Sequence, residues 1–371
     1  MTITYQPAQT GEQDRLLCRR GIVYGWVKET ERPALPAADA IKAAWERDES
    51  VFLPDLLSDV LADYRADIDS AHRLYEQVRD GEVLADLLDR SPYGERIEEA
   101  FSLSGSSFED HDDQGIEKVY FDAWADDEIA ADNLWCKASW LSFDDEDGSL
   151  RFRFSFGMEG YEDVAADHDR QLWAARLTDA IFPESAAVTA HAKLGAVLQG
   201  MLDNPEVAFM ERIVYFNAPN GGAQMHHDVE RGHDGVVFAQ MSGSTFWFAL
   251  AKPALMDEID AYLAQAPAEE WAELRALCAE RASLSCHLEE PDHELAEALV
   301  DHHPDFCRHL VERGYAHILH PGDVLLMRQR DLDTCVWHSV YCLGDEAGEG
   351  LSFALKAKTP LAADGAGSAL R

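Results

Sequence analysis

The sequence predicts an α+β chain in which a helical N-terminal region packs around a C-terminal jelly-roll-like barrel that carries a helical insert. Residues 36–101 place apolar side chains at three- and four-residue spacing, the period of helices with one buried face. From about residue 150, short β-branched and aromatic runs alternate with turn residues, the rhythm of a sandwich or barrel. That rhythm breaks once, between Pro253 and about Gly314, and resumes at once, so the break reads as an insert and not a separate domain.

The helical region rests on "PAADAIKAAWERDE", "LPDLLSDVLADYRADIDSAHRLYEQVRDGEVLADLLDR" and "GERIEEAF", after which "GSSFEDHDDQG" at 105–115 breaks the pattern. "SLRFRFSFGM" alternates strictly, with Phe152, Phe154 and Phe156 on one face and Arg151, Arg153 and Ser155 on the other. Two helices are expected near 166–181 and 186–202. The barrel strands follow as "ERIVYFNA", "GVVFAQM", "STFWFALA", "AHILHPGDVLLM", "TCVWHSVYCL" and "GLSFALKA". The insert reads as helices over "ALMDEIDAYLAQAPAEEWAELRALCAERA" and "HELAEALVDHHPDFCRHLVERG". The expected organisation is a mainly helical region over 1–120, a core over 121–360 with its insert at about 253–314, and a flexible tail over 361–371.

Composition narrows the function. The 371 residues carry 70 acidic and 31 basic side chains, a net charge of −39. Such a surface repels phosphate backbones and anionic headgroups, so neither nucleic acid nor a membrane surface is expected as a partner. The acid is spread along the chain, as on a heavily solvated surface. A 47% hydrophobic content with nine tryptophans supplies a real core. No run of about twenty apolar residues spans a bilayer, and "MTITYQPAQTGEQDR" lacks the basic start and apolar core of a secretory signal. Seven cysteines without a CxxC pair suit reduced thiols in a cytoplasm, the expected location.

One short stretch, "GGAQMHHDVERGHDG" at 221–235, concentrates metal-ligand chemistry. On a strand His226 and Asp228 share a face and His227 takes the other. The pair alone is a weak signal. It gains weight from "HPGDVLLMRQRDLDTCVWHSVY", where Pro321-Gly322-Asp323 turns the chain and a later strand carries His338 between Val336 and Val340. Two neutral imidazoles and one carboxylate on one face of a metal leave other coordination positions free, the facial arrangement of non-haem Fe(II) oxygenases. His227 has the wrong parity and His233 lies in a turn, although a one-residue register slip would exchange His226 for His227. His302, His303 and His309 read as surface residues of the insert. Cys335 and Cys342 read as buried small hydrophobes, and Trp247, Trp337 and Phe248 as core. There is no GxSxG elbow, glycine-rich phosphate loop or HExxH pair.

With those residues in view, "GVVFAQMSGSTFWFAL" and "HPGDVLLMRQRDLDTCVWHSVYCLGDEAGEGLSFAL" resemble the Jumonji-C-like, cupin-like family of Fe(II)/2-oxoglutarate-dependent oxygenases, over roughly 210–357 without the insert. The resemblance implies a double-stranded β-helix, and His226, Asp228 and His338 as catalytic metal ligands. It further implies Fe(II), 2-oxoglutarate as cosubstrate, and hydroxylation of a C–H bond in an amino acid, peptide or small metabolite. Where the family places a lysine against the distal carboxylate of 2-oxoglutarate, this chain has Thr245. A hydroxyl donates one hydrogen bond but does not neutralise a carboxylate. "LSFALKA" sets Ser352, Ala354 and Lys356 on one face, making Lys356, assisted by Thr245, the expected cosubstrate anchor. Lys358, Arg212 and Lys252 are the other basic candidates. If none reaches the pocket, a different electron source, or the substrate itself, is implied. The alternatives are a 2-oxoglutarate-independent cupin-type dioxygenase and an inert cupin-like binding protein. The helical region and the insert are the expected sources of substrate selection or of homodimer contacts.

Overall fold

The computed structural model describes residues 2–6, 14–111, 114–142, 150–159, 168–229, 233–267, 269–290 and 293–357; Lys358 and the expected tail over 361–371 lie outside them. The chain opens with a small antiparallel sheet, β1 (Thr2–Gln6), β2 (Arg15–Arg19) and β3 (Ile22–Glu31), in the order β1-β3-β2. The sequence predicts a mainly helical region here, and the structure differs. Arg20 and Gly21, at φ 53° and 76°, form the two-residue turn joining β2 to β3. Positive φ at both positions matches the right-handed twist of a hairpin.

Helices follow as α1 (Ala38–Glu46), then a short strand β4 (Val51–Leu53), then α2 (Arg65–Arg79), α3 (Leu84–Leu88) and α4 (Tyr93–Ile97). A long meander comes next: β5 (Phe101–His111), β6 (Gln114–Ala125), β7 (Glu128–Ser142) and β8 (Leu150–Met158). The stretch at 105–115 is therefore not a mere interruption, since much of it is edge strand. An edge leaves its apolar residues exposed, Phe108 at 59% and Leu103 at 42%, so no buried face imposes a pattern on the sequence. The two helices expected after the meander become α5 (His168–Ile181), α6 (Ala186–Thr189) and α7 (Ala192–Leu202).

The remaining strands are β9 (Val207–Asn217), β10 (Gly222–His226), β11 (Gly235–Gln240) and β12 (Thr245–Ala251). Five helices intervene: α8 (Lys252–Gln265), α9 (Ala272–Cys278), α10 (Arg281–Leu288), α11 (Glu294–Val300) and α12 (Pro304–Glu312). Then come β13 (Ala316–Leu319), β14 (Val324–Arg328), β15 (Val336–Cys342) and β16 (Gly348–Ala357). Strand β13 pairs directly with β12, so the helices leave and rejoin the sheet at neighbouring strands.

The fold mixes helices with large antiparallel sheets. A nine-stranded sheet runs β4-β14-β11-β16-β9-β8-β7-β6-β5, and a four-stranded sheet runs β10-β15-β12-β13. From β9 onward the chain divides its strands between them: β9, β11, β14 and β16 in the large sheet, β10, β12, β13 and β15 in the small one. Three apolar layers arise from the period-two alternation. Phe152, Phe154, Val214, Phe216, Leu351 and Phe353 pack the large sheet against α2, α5 and their neighbours. Phe246, Phe248 and Leu250 of β12 pack against the insert and the N-terminal hairpin. The alternate residues Trp247 and Ala249 join Phe52, Val236, Phe238 and Met327 in a third cluster, between the sheets.

The Pro321-Gly322-Asp323 turn forms as the sequence predicts. Gly322 sits at φ 95°, and a Cβ there would collide with the Ser58 Oγ. Glycine is the residue that fits. The fully buried Asp323 carboxylate accepts from the backbone N–H groups of His320 and Asp55, each at 2.8 Å, and from Arg32.

Candidate metal centre

The site is built where β10 ends. Strands β10 and β15 are antiparallel with His226 directly opposite His338, which puts both rings on one face. Their centroids are 4.2 Å apart. Asp228 lies two residues past the end of β10, in a loop and not on the strand that the sequence predicts, yet its carboxylate returns to the same side. Its Oδ1 is 3.8 Å from His226 Nε2 and its Oδ2 is 3.5 Å from His338 Nε2. One ligand atom from each of the three residues lies within 4.8 Å of the others.

His227 points the other way. Its Nε2 meets Glu289 at 2.8 Å, and its ring stands edge-on to Trp337 at 5.1 Å. Glu289 also accepts from Lys252 at 2.6 Å, so the insert holds both His227 and Lys252 away from the cluster. The register slip is not adopted. His233 is buried close enough to Asp228 to act on its charge.

Three features that the sequence pattern does not reveal hold the ligands in place. Arg19 and Asp301 form an ion pair that is 1% exposed on both sides. Asp301 also accepts from the backbone N–H of Met225 at 2.8 Å, and Arg19 donates to the Ala223 carbonyl at 2.5 Å. The N-terminal hairpin and the insert thus clamp β10 just before His226. Removing one partner of such a pair strands the other charge, at a cost of about 3–5 kcal/mol. Gly222, at φ 128°, lets β10 lie close on β15, since a Cβ there would collide with the Val340 carbonyl oxygen. Buried Gln329 accepts from the Asp228 N–H at 3.3 Å and donates to the Val336 carbonyl at 2.7 Å, tying the carboxylate loop to the strand of His338.

The electrostatics suit a metal. Burial, aided by the His226 ring and opposed by Asp228, pushes His338 down to about 3, so its imidazole is neutral near pH 7. His226 Nδ1 lies 2.7 Å from the Gln224 carbonyl, which can only accept. Nδ1 therefore donates to that carbonyl, and Nε2 is the ring nitrogen that faces Asp228. Burial raises the Asp228 carboxyl, but the imidazoles of His338, His226, His227 and His233 outweigh it and hold it below its usual range. Two neutral imidazoles and one carboxylate fit a divalent iron, and three protein ligands leave positions for reactants.

Beside the cluster is a cavity of about 40 Å³. Its polar lining beyond the ligands is Tyr215, Asn217 and Ser352, and among the described residues no lysine or arginine lines it. Trp247 fills the space behind the histidines, stacked on His338 at 5.6 Å and packed on Phe238 at 4.4 Å.

The structure does not bring the expected cosubstrate anchors to this cavity. Thr245 is fully buried, donating to Gln240 Oε1 at 2.6 Å and accepting from Trp247 Nε1 at 2.8 Å, so its hydroxyl is already engaged. Lys356 shares the face of Ser352, as parity predicts, but sits at the end of β16 and does not line the cavity. Arg212 is paired with Asp179 of α5. Cys335 and Cys342 are buried, as expected, and burial pushes the Cys335 thiol up to about 12.

No protein-family model matches the chain, and no curated protein matches it. Among solved structures it is similar to an oxidoreductase of the 2OG-Fe(II) oxygenase family from Burkholderia pseudomallei, at 9% identity and TM-score 0.35, covering 88% of this chain and 94% of that one. It is also similar to the Escherichia coli ribosomal oxygenase YcfD, at 14% identity and TM-score 0.26, covering 68% of this chain and 42% of that one. The chemistry of the site rests on its own geometry, not on these likenesses.

Proposed function

We propose that this chain is a non-haem Fe(II)-dependent oxygenase on a double-stranded β-helix, oxidising a C–H bond of a small-molecule or peptide substrate. The observation that carries it is the approach of His226, Asp228 and His338 to within 4.8 Å of one another, beside a cavity. The four-and-four division of β9 to β16 between two sheets supports the β-helix reading. When bound, iron supplies the activation of dioxygen that no side chain provides. The chain's own residues do the rest. His226, His338 and Asp228 would hold the metal through their imidazoles and carboxylate. The Gln224 carbonyl and Gln329 orient those ligands. Trp247 and Phe238 keep water out of the space behind them, and Tyr215, Asn217 and Ser352 offer polar groups that orient a substrate.

Among the described residues the cavity lining offers the distal carboxylate of 2-oxoglutarate no cationic partner. Its three neutral polar side chains, Tyr215, Asn217 and Ser352, do not neutralise a buried carboxylate. This favours a second reading within the same class, in which the substrate itself supplies the electrons.

Oxygen consumption by protein reconstituted with Fe(II) and offered candidate substrate pools separates these forms. Iron-dependent uptake without 2-oxoglutarate supports the substrate as reductant. Succinate release that needs both iron and 2-oxoglutarate establishes the cosubstrate form. A chain that takes up no iron ends the proposal in favour of an inert binding protein.

A further inference from the structure

The large sheet splits beside the metal cavity. Pairing of β8 with β9 runs from Arg151–Asn217 to Ser155–Ile213 and stops there, while β9 continues along β16 to Val207–Ala357. Glu211 bulges from that ladder at φ 29°. The fork opens a cleft of about 360 Å³, closed at its back by α5, against about 40 Å³ for the cavity at the histidines.

Charge marks this cleft out. Acidic side chains outnumber basic ones 70 to 31 in the whole chain, yet among the described residues the cleft is lined by Lys137, Arg153 and Arg212 against one acid, Glu211. Lys118 lies directly across from Lys137 on the neighbouring strand, an unfavourable like-charge pairing. Among the described residues neither Lys137 nor Arg153 forms an ion pair. Lys137 has the Trp135 ring 5.4 Å away, and Arg153 donates to the Ser139 Oγ at 3.1 Å. Burial, Arg153 and Lys118 together push the Lys137 ammonium below its ordinary value, against a smaller opposing effect of Glu109.

Hydrogen-bonding capacity is left over as well. Arg212 spends Nη1 on Asp179 and the Ala175 carbonyl, while its buried Nε has no partner among the described residues. The same holds for Gln171 Nε2, on a side chain 8% exposed, and for the Ser155 Oγ. All three line the cleft. Two are donors and the third can donate, a lining made for an acceptor-rich ligand.

We propose that the cleft at the fork of β8 and β9 binds the anionic end, a carboxylate or phosphate, of a small organic molecule. On the oxygenase reading, that molecule is the substrate and its other end reaches the metal centre. Geometry joins the two hollows: Arg153 of the cleft pairs across the strands with Tyr215 of the metal cavity, so the two side chains share a face about 5 Å apart at Cβ.

The test is calorimetric titration of the full chain with inorganic phosphate and, separately, malonate, at ionic strength matched with sodium chloride. Matching is needed because any salt screens a net charge of −39. One probe is expected to bind one to one, and which one does so tells phosphate from carboxylate. Affinity should fall at least about tenfold in a Lys137→Gln, Arg153→Gln double variant, survive in Lys137→Arg, and stay unchanged in His226→Ala. Binding of neither probe beyond chloride, equal binding by the double variant, or its loss in His226→Ala would overturn the proposal. A wild-type chain that binds the anion but no iron sinks the oxygenase reading and leaves the cleft standing.

Discussion

The two faces of strands β9 and β16 differ in kind. On one face Tyr215, Asn217 and Ser352 line the metal cavity. On the other, Val214, Phe216, Leu351 and Phe353 are buried against helices, with Phe216 stacked on Tyr75 at 4.5 Å. Alternate residues of the same strands therefore divide the labour, since a period of two sends neighbours to opposite sides. The packing face also hides two fully buried carboxyl groups, Glu349 of β16 and Glu184, near enough to act on each other's charge. Burying a carboxylate without a donor or a cation disfavours its charged form. Burial and the adjacent Glu184 raise Glu349 well above its ordinary value, and burial, with Asp67 adding, raises Glu184 to about 8.

If the faces are separable, changes on one should spare the other. The largest effect is expected from Phe216→Ala, which opens a hole among stacked rings and should cost about 3–5 kcal/mol in denaturant unfolding. The protein that remains folded should bind iron with unchanged stoichiometry, and a loss of iron with the ring would break the division. On the site side, Gln329→Ala should weaken iron binding about 10–100-fold, roughly 1.4–2.7 kcal/mol, in competition with a chelator. An unchanged affinity would reduce Gln329 to packing.

Glu349→Gln sharpens the comparison through pH. In the unfolded chain a glutamate carboxyl titrates near 4.5, whereas burial holds Glu349 well above that and Glu184 at about 8. The folded state thus binds more protons in that window. Stability present below pH 4.5 is lost as pH rises toward 8, by about 1.4 kcal/mol per pH unit for one proton. The variant should flatten this slope, so that its stability relative to the native chain is greater at pH 8 than at pH 5; an equal slope in both proteins would show that the pair is not protonated. The smallest effect belongs to Ser352→Ala, within about 0.5 kcal/mol in stability. A loss well above that would mean the cavity face is packing too.

Much of this was legible in the sequence. The strands from β11 onward announce themselves by aromatic and β-branched runs between turns, and His226 and His338 by their order along them, whereas Asp228 reaches the same side from a loop that strand parity does not describe. The strands β5 to β7 were hidden because both of their faces mix apolar and charged residues. On β6, Glu117 is buried beside Val119 and Phe121 while Lys118 and Tyr120 take the outer face, which blurs a period of two. The Arg19–Asp301 clamp joins residues 282 positions apart and leaves no local trace. Parity placed Lys356 on the correct face, but a period of two says nothing of depth along a strand. Nor does it reveal that the Thr245 hydroxyl is engaged by Gln240 and Trp247.

The central claim, a three-ligand iron site, is tested most directly by anaerobic titration of the chain with Fe(II), beside the single variants His226→Ala, Asp228→Ala and His338→Ala. One iron per chain in the native protein, lost in each variant while the fold is retained, is the predicted result. Absence of stoichiometric iron in the native chain, or its retention at native affinity by any one of the three variants, would contradict it.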